Sequence, residues 1–191
     1  MAEADGAPAA RCRLYLEGPD PLPANFAALV DIALATGDIA CLRLSPHPDI
    51  GPLIAKAQAQ GCAVLLVDSA GDVALFGADG VHLWQPDAYE QAREMLGPRA
   101  NIGVFCGNSR HAAMEAGEAG ADYISFEADL ELVKWWAEIM VVPLVVELAA
   151  DLSQAGDFIS AGADFLCLDE GIWQSEESLK SAIAGVMALI G

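Results

Sequence analysis

Short apolar runs alternate along this chain with longer stretches in which apolar residues return every three or four positions. Eight runs read as strands, at about 11–16, 39–44, 63–67, 79–83, 101–105, 122–126, 143–147 and 164–168. They do not alternate polar with apolar. Val64-Leu65-Leu66-Val67 and Leu144-Val145-Val146 are continuous, as expected of parallel strands covered on both sides. The intervening segments, at about 24–36, 50–60, 70–77, 87–96, 108–119, 129–140, 152–161 and 175–190, have helical period. Phe26, Leu29, Val30 and Ala33 share one face, as do Leu179, Ile183, Val186 and Ile190. Strict strand–helix alternation implies parallel pairing through right-handed crossovers. Eight such units predict an α/β protein, a compact (β/α)8 TIM barrel over residues 11–191 behind a flexible tail at 1–10. An open doubly wound sheet is the competing arrangement. No Gly-x-Gly-x-x-Gly follows the first strand, which disfavours its dinucleotide-binding form.

A repeat supports the alternation. Gly77-Ala78-Asp79, Gly120-Ala121-Asp122 and Gly162-Ala163-Asp164 lie 43 and 42 residues apart, and each precedes a short apolar run.

Composition narrows the function classes. With 54% hydrophobic and 19% charged residues, the 191-residue chain can bury one sizeable core. Nine basic residues against 28 acidic ones give a net charge of -19, which argues against nucleic acid and anionic membrane as partners. No apolar run approaches the roughly 18 residues of a membrane span. The small, acidic start lacks the features of a secretory signal, so the expected location is cytoplasmic. The five cysteines, Cys12, Cys41, Cys62, Cys106 and Cys167, form no Cys-x-x-Cys pair and read as buried thiols, without a zinc site or disulfide framework.

In a barrel of this kind, chemistry belongs at the C-terminal ends of the strands. Taken in order those ends carry Glu17, Arg43, Asp68, then His82 with Gln85 and Asp87, Cys106 with Asn108, Glu127, Glu147, and Asp169 with Glu170. The ring is acidic, opposed by Arg43 and by Arg110 nearby. Such a mouth suits a divalent cation or an organic cation. Equally, Asp68, Asp87 and Asp169 open helix-like segments and read as caps. His82 lies on the opposite strand face from Val81 and Leu83. It reads either as a core histidine hydrogen-bonded between strand and helix or as a polar group aimed into the pocket. Trp84 and Trp173, just past strand ends, either stack on a ring-shaped ligand or fill space. Trp135-Trp136 reads as packing, and His47 and His111 as surface.

The stretch Gly77-Ala78-Asp79-Gly80-Val81-His82-Leu83-Trp84-Gln85-Pro86-Asp87 resembles the GADGVHLGQ-x-D segment of the thiamine-phosphate synthase and thiazole tautomerase superfamily. Leu65 to Leu75, Ile102-Gly103-Val104 and Gly120 to Ile124 resemble flanking segments, so the likeness covers most of 38–170. It implies a barrel that joins an aminopyrimidine diphosphate to a thiazole phosphate with Mg2+, releasing pyrophosphate. On that resemblance Asp68 and Asp87 would hold the magnesium, Arg43 a phosphate, and His82 or Gln85 would orient the ring. Trp84, Cys106, Asn108 and Trp173 would line the small-molecule site. A homodimer is expected from the habit of small barrels.

The departures from the family pattern fall on its phosphate and metal positions. The family's Asn-Asp-Arg is Asp68-Ser69-Ala70 here, and the glycine of its His-Leu-Gly-Gln is Trp84. The Lys that follows its Arg after the second strand is Ser45. Phe105-Cys106-Gly107 stands for its Ser-x-His, and Glu127 and Glu147-Leu148-Ala149-Ala150 stand where its phosphate loops would be. Two readings follow: a divergent thiamine-phosphate synthase, or a non-catalytic barrel of the same ancestry that binds a small molecule or a protein partner.

Overall fold

The computed structural model describes residues 12–148 and 152–191. The expected tail at 1–10, Arg11, and the segment 149–151 lie outside them. The strands are β1 (Arg13–Glu17), β2 (Ile39–Leu44), β3 (Ala63–Val67), β4 (Gly80–Leu83), β5 (Asn101–Phe105), β6 (Tyr123–Glu127), β7 (Leu144–Leu148) and β8 (Phe165–Leu168). The helices are α1 (Phe26–Thr36), α2 (Gly51–Gln58), α3 (Val73–Phe76), α4 (Tyr89–Leu96), α5 (Arg110–Ala119), α6 (Leu130–Ile139), α7 (Ala155–Ala161) and α8 (Glu176–Ile190). Strands pair in parallel in chain order, and β8 returns to β1 through Arg13↔Phe165 and its successors, closing the barrel. Closure sets aside the open-sheet alternative.

Each strand serves two layers, which is why its run is apolar throughout. Leu14, Leu42, Val64, Val81, Ile124 and Leu166 point out against the helices and are all but inaccessible. Each such side chain contributes about 2 kcal/mol by leaving water. A second, smaller cluster lies inside the barrel: Tyr15, Cys41, Leu65, Tyr123, Val145 and Cys167. The five cysteines are buried free thiols, as expected. No helix among the described residues is long and apolar enough to cross a membrane.

The repeat has a structural reason. Gly77, Gly120 and Gly162 end α3, α5 and α7 in the left-handed region that glycine tolerates. Two residues on, each aspartate accepts the first free N–H of the preceding strand. Asp79 takes that of Val64, Asp122 that of Ile102, and Asp164 that of Leu144, at 2.7–2.8 Å. The motif stitches β3 to β4, β5 to β6 and β7 to β8 at the N-terminal end of the barrel.

Apart from shifts of one or two residues at strand and helix bounds, local differences from the expected elements fall at helix starts. The expected helix at 70–77 is a 3-10 turn, Ala70–Asp72, followed by the single turn of α3. Pro86 opens a 3-10 turn, Pro86–Ala88, before α4. A further 3-10 turn, Glu170–Gln174, precedes α8, and Asp169 caps it by accepting the Gly171 N–H at 2.9 Å. The cap reading of Asp169 therefore holds. Ser109, Asp129 and Ser175 cap α5, α6 and α8.

Candidate functional site

Period-two geometry turns Arg43 inward, two residues beyond the interior Cys41, and turns His82 inward between the outward Val81 and Leu83. Glu17 stands beside Arg43 in the β1–β2 register. Glu147 enters from β7. These groups meet inside the C-terminal end of the barrel. The Arg43 guanidinium donates from Nη1 to Glu147 Oε1 at 2.9 Å and from Nη2 to Glu147 Oε2 at 3.1 Å, a two-pronged pair. Nη2 also lies 3.0 Å from Glu17 Oε2, and Nη1 3.0 Å from His82 Nε2. Arg43 is 0% exposed, while the Glu17 and Glu147 side chains keep 27% and 16%.

The hydrogen bonds fix a direction along the barrel axis. A guanidinium only donates, so His82 Nε2 accepts and the imidazole proton resides on Nδ1. Nδ1 then donates to the Tyr123 hydroxyl at 2.8 Å, and that hydroxyl shares a hydrogen bond with Tyr15 Oη at 2.8 Å. Gly103 permits this path. A side chain there would collide with the Tyr123 ring, which crosses Gly103 to reach His82. Burial, and then Arg43, hold the His82 pKa well below the ordinary histidine value, in agreement with a neutral ring. Burial opposes the charge on Arg43, but its surroundings, Cys167 and Glu147 foremost, more than offset that and raise its pKa. The Cys167 thiol is itself pushed well up by burial and is neutral near pH 7, so Glu147 supplies the working charge. Burial raises the Glu17 pKa above the ordinary 4.5, against the pull of Arg43.

These shifts predict a pH effect on stability. Below about pH 6.5 the unfolded chain protonates its histidine while buried His82 stays neutral. Stability therefore falls with falling pH, by up to about 1.4 kcal/mol per pH unit. Glu17 acts oppositely: its raised value costs stability as pH rises above 4.5. In urea unfolding, the advantage of the wild type over His82→Gln should shrink by about 2 kcal/mol between pH 6.5 and pH 5. Parallel curves for the two proteins would contradict the neutral assignment.

Trp84 closes the cluster from above. Its ring lies 4.7 Å from the Arg43 Cζ, meets the His82 ring edge-on at 5.1 Å and packs on Phe105 at 4.8 Å. Of the two readings of His82, neither fits fully: it is a buried histidine, but it sits inside the barrel rather than between strand and helix. Trp173 fills space. It is 4% exposed, packs on Phe26, and its Nε1 donates to the Glu17 carbonyl at 2.6 Å. Cys106 belongs to the layer between barrel and helices, and burial pushes its thiol up to about 12. Asn108 stays at the rim, donating to Glu127 at 2.6 Å. The structure thus brings Arg43, His82 and Trp84 together and sets Cys106 and Trp173 apart from them. Sequence reasoning missed Tyr15 and Tyr123. The signal was their inward parity with Glu17 and with Ser125 and Glu127.

Magnesium would need carboxylates converging beyond β3 and β4. Asp68 Oδ1 instead accepts the Trp84 backbone N–H at 2.9 Å, bracing the loop that carries the indole, with Asp68 at a positive φ of 46°. Asp87 and Gln85 are exposed along a groove with Tyr89, Glu90 and Glu115, whose walls do not include Asp68. Among the described residues no set of three His, Cys, Asp or Glu side chains is placed to share an ion. The remaining positions of a magnesium ion would fall to substrate phosphates, which themselves need cations. Lys56, Lys134 and Lys180 are paired with acidic residues on the helices. Arg13 and Arg93 pair with Asp38 and Asp122 at the N-terminal side, and Arg110 lies over Trp135. The residues present do not fit a magnesium–phosphate centre in this conformation.

The sequence profile of the family described as thiamine monophosphate synthase matches residues 49–172. The chain is 39% identical to a thiamine-phosphate synthase of Rhodospirillum centenum over 91% of its length and 95% of the relative's. It is 36% identical to one of Hyphomonas neptunium over 95% of both. Among solved structures, a thiamine phosphate pyrophosphorylase from Pyrococcus furiosus superposes with a TM-score of 0.75 at 19% identity, covering 95% of this chain and 96% of the other. At that identity the superposition speaks for the fold alone.

Proposed function

Because the chain belongs to the thiamine monophosphate synthase family, we propose that it is a barrel of that ancestry whose mouth binds a small, ring-shaped organic cation in place of two phosphorylated precursors. One observation carries the reading. Arg43, the cation inside the mouth, is fully buried, paired with both Glu17 and Glu147, and covered by Trp84. A diphosphate would have to expel two carboxylates to reach it. Left in place, each repels a nearby phosphate by about 1–2 kcal/mol at intermediate dielectric. A cation meets the reverse situation: two carboxylates against one guanidinium leave a net negative cluster, and the half-buried indole of Trp84 offers a ring surface suited to cation–π stacking.

The second reading keeps the family's transfer, joining a pyrimidine diphosphate to a thiazole phosphate. It is supported by the Gly77–Asp87 motif and by the names of the relatives. It requires Trp84 to leave Arg43 and both carboxylates to turn outward when substrate arrives.

Thermal unfolding separates the two. An N-alkylthiazolium salt at ten times its dissociation constant should raise the melting temperature by about 4 °C, while magnesium pyrophosphate should leave it unchanged. Stabilisation by magnesium pyrophosphate and indifference to the thiazolium would reverse the assignment.

A further inference from the structure

Among the described residues, the opposite end of the barrel, where such folds are normally plugged with side chains, is hollow. A cavity of about 210 Å³ opens between the N-terminal ends of the strands. Its cause is local. The β1–β2 register slips between Leu14 and Tyr15, which places Ala40 at the irregularity, and the neighbouring strand offers only Ala63. Tyr123, which could have filled the space, crosses Gly103 towards His82 instead. The resulting walls are Leu65, Val145, Phe165 and the rings of Tyr15 and Tyr123.

We propose that this N-terminal hollow is a second binding site, for a neutral aromatic molecule of one or two rings. Size and lining set the class: an apolar cavity of roughly 150 Å³ is enough to hold benzene. Three aromatic side chains in the wall suit edge-to-face packing with a planar guest. Neutrality follows from the charges around the opening. The charged residues of its wall, Arg13 and Asp122, are already paired with Asp38 and Arg93, so a charged guest would lose hydration without gaining a counter-ion from the wall. The tyrosine hydroxyls are already engaged with each other and with His82, so the guest's apolar edge points inward. Any polar group it carries faces out, towards exposed Asn101. The site is separate from the mouth under Trp84, and its occupancy does not depend on which ligand the mouth takes.

Indole is the probe. Thermal unfolding of the whole chain should show an upward shift of about 4 °C at ten times the dissociation constant. Benzoate should give none. The shift should disappear in Ala63→Leu, which fills the hollow, and persist in Trp84→Ala, each variant being compared with its own ligand-free melting temperature. If Ala63→Leu does not fold, Ala40→Val carries the comparison: a midpoint at about tenfold higher indole supports the site, and an unchanged midpoint overturns it. Absence of a shift in the wild type up to about 10 mM indole, an undiminished shift in Ala63→Leu, or its loss in Trp84→Ala would equally overturn the proposal.

Discussion

Replacing Arg43 with methionine should destabilise the chain by about 4 kcal/mol, the cost of removing one partner of a buried ion cluster. The guanidinium donates twice to Glu147 and once to His82 and forms an ion pair with Glu17, while among the described residues its Nε has no hydrogen-bond partner. Without the guanidinium Glu17 and Glu147 face each other in a partly desolvated pocket, His82 Nε2 loses its donor, and Trp84 loses the cation beneath its ring. Methionine keeps much of the volume, so the loss is electrostatic rather than a cavity. The test is a three-site comparison by urea unfolding. Adding Glu17→Gln and Glu147→Gln to Arg43→Met should recover most of the loss, because amides tolerate each other where carboxylates do not. A single-variant cost below about 1 kcal/mol, or no recovery in the triple variant, would show that the cluster does not hold the mouth together.

How much of this could be read from the chain depends on distance along it. The barrel was legible because its signals are local: Val64 to Val67 is apolar over consecutive residues, and helical faces such as Leu179, Ile183 and Val186 repeat within one segment. The Gly-Ala-Asp repeat was visible, but the job of its aspartates was not. Asp122, for example, serves an N–H 20 residues earlier, on the neighbouring strand. Where the expected helix at 70–77 shortened to a single turn, the chain Ala70-Gly71-Asp72 follows a 3-10 path, and period alone does not distinguish that from an α-helix start.

The site was half legible for the same reason. Resemblance and strand parity put Arg43, His82 and Trp84 at the C-terminal end, and the structure joins them. What parity could not supply was who neutralises Arg43. Glu147 lies 104 residues away, and it becomes a partner only once β7 has closed the barrel beside β8 and β1. The same carboxylate, read from sequence, was one more member of an acidic rim. Asp68 likewise looked like a metal ligand or a cap, and is a brace for the Trp84 backbone, a role visible only when the loops after β3 and β4 lie side by side.

The unmutated chain is itself expected to lack the family's turnover. With no exposed surface, the Arg43 guanidinium is out of a diphosphate's reach while Trp84 and both carboxylates stay in place, so the transfer that the family name describes should run several orders of magnitude below that of an enzyme with an open arginine, since oriented charge stabilisation of this kind commonly supplies most of an enzyme's rate enhancement. Restoring the family's small residue through Trp84→Gly should not rescue it, because Glu17 and Glu147 still occupy the guanidinium.

Whether Arg43 is withheld from phosphate is decided by incubating the purified chain with the aminopyrimidine diphosphate, the thiazole phosphate and magnesium, and measuring pyrophosphate release. With the guanidinium held by Glu17 and Glu147, release should not exceed the enzyme-free background. Repeated turnover that needs magnesium and disappears in Arg43→Met would refute the withheld arginine.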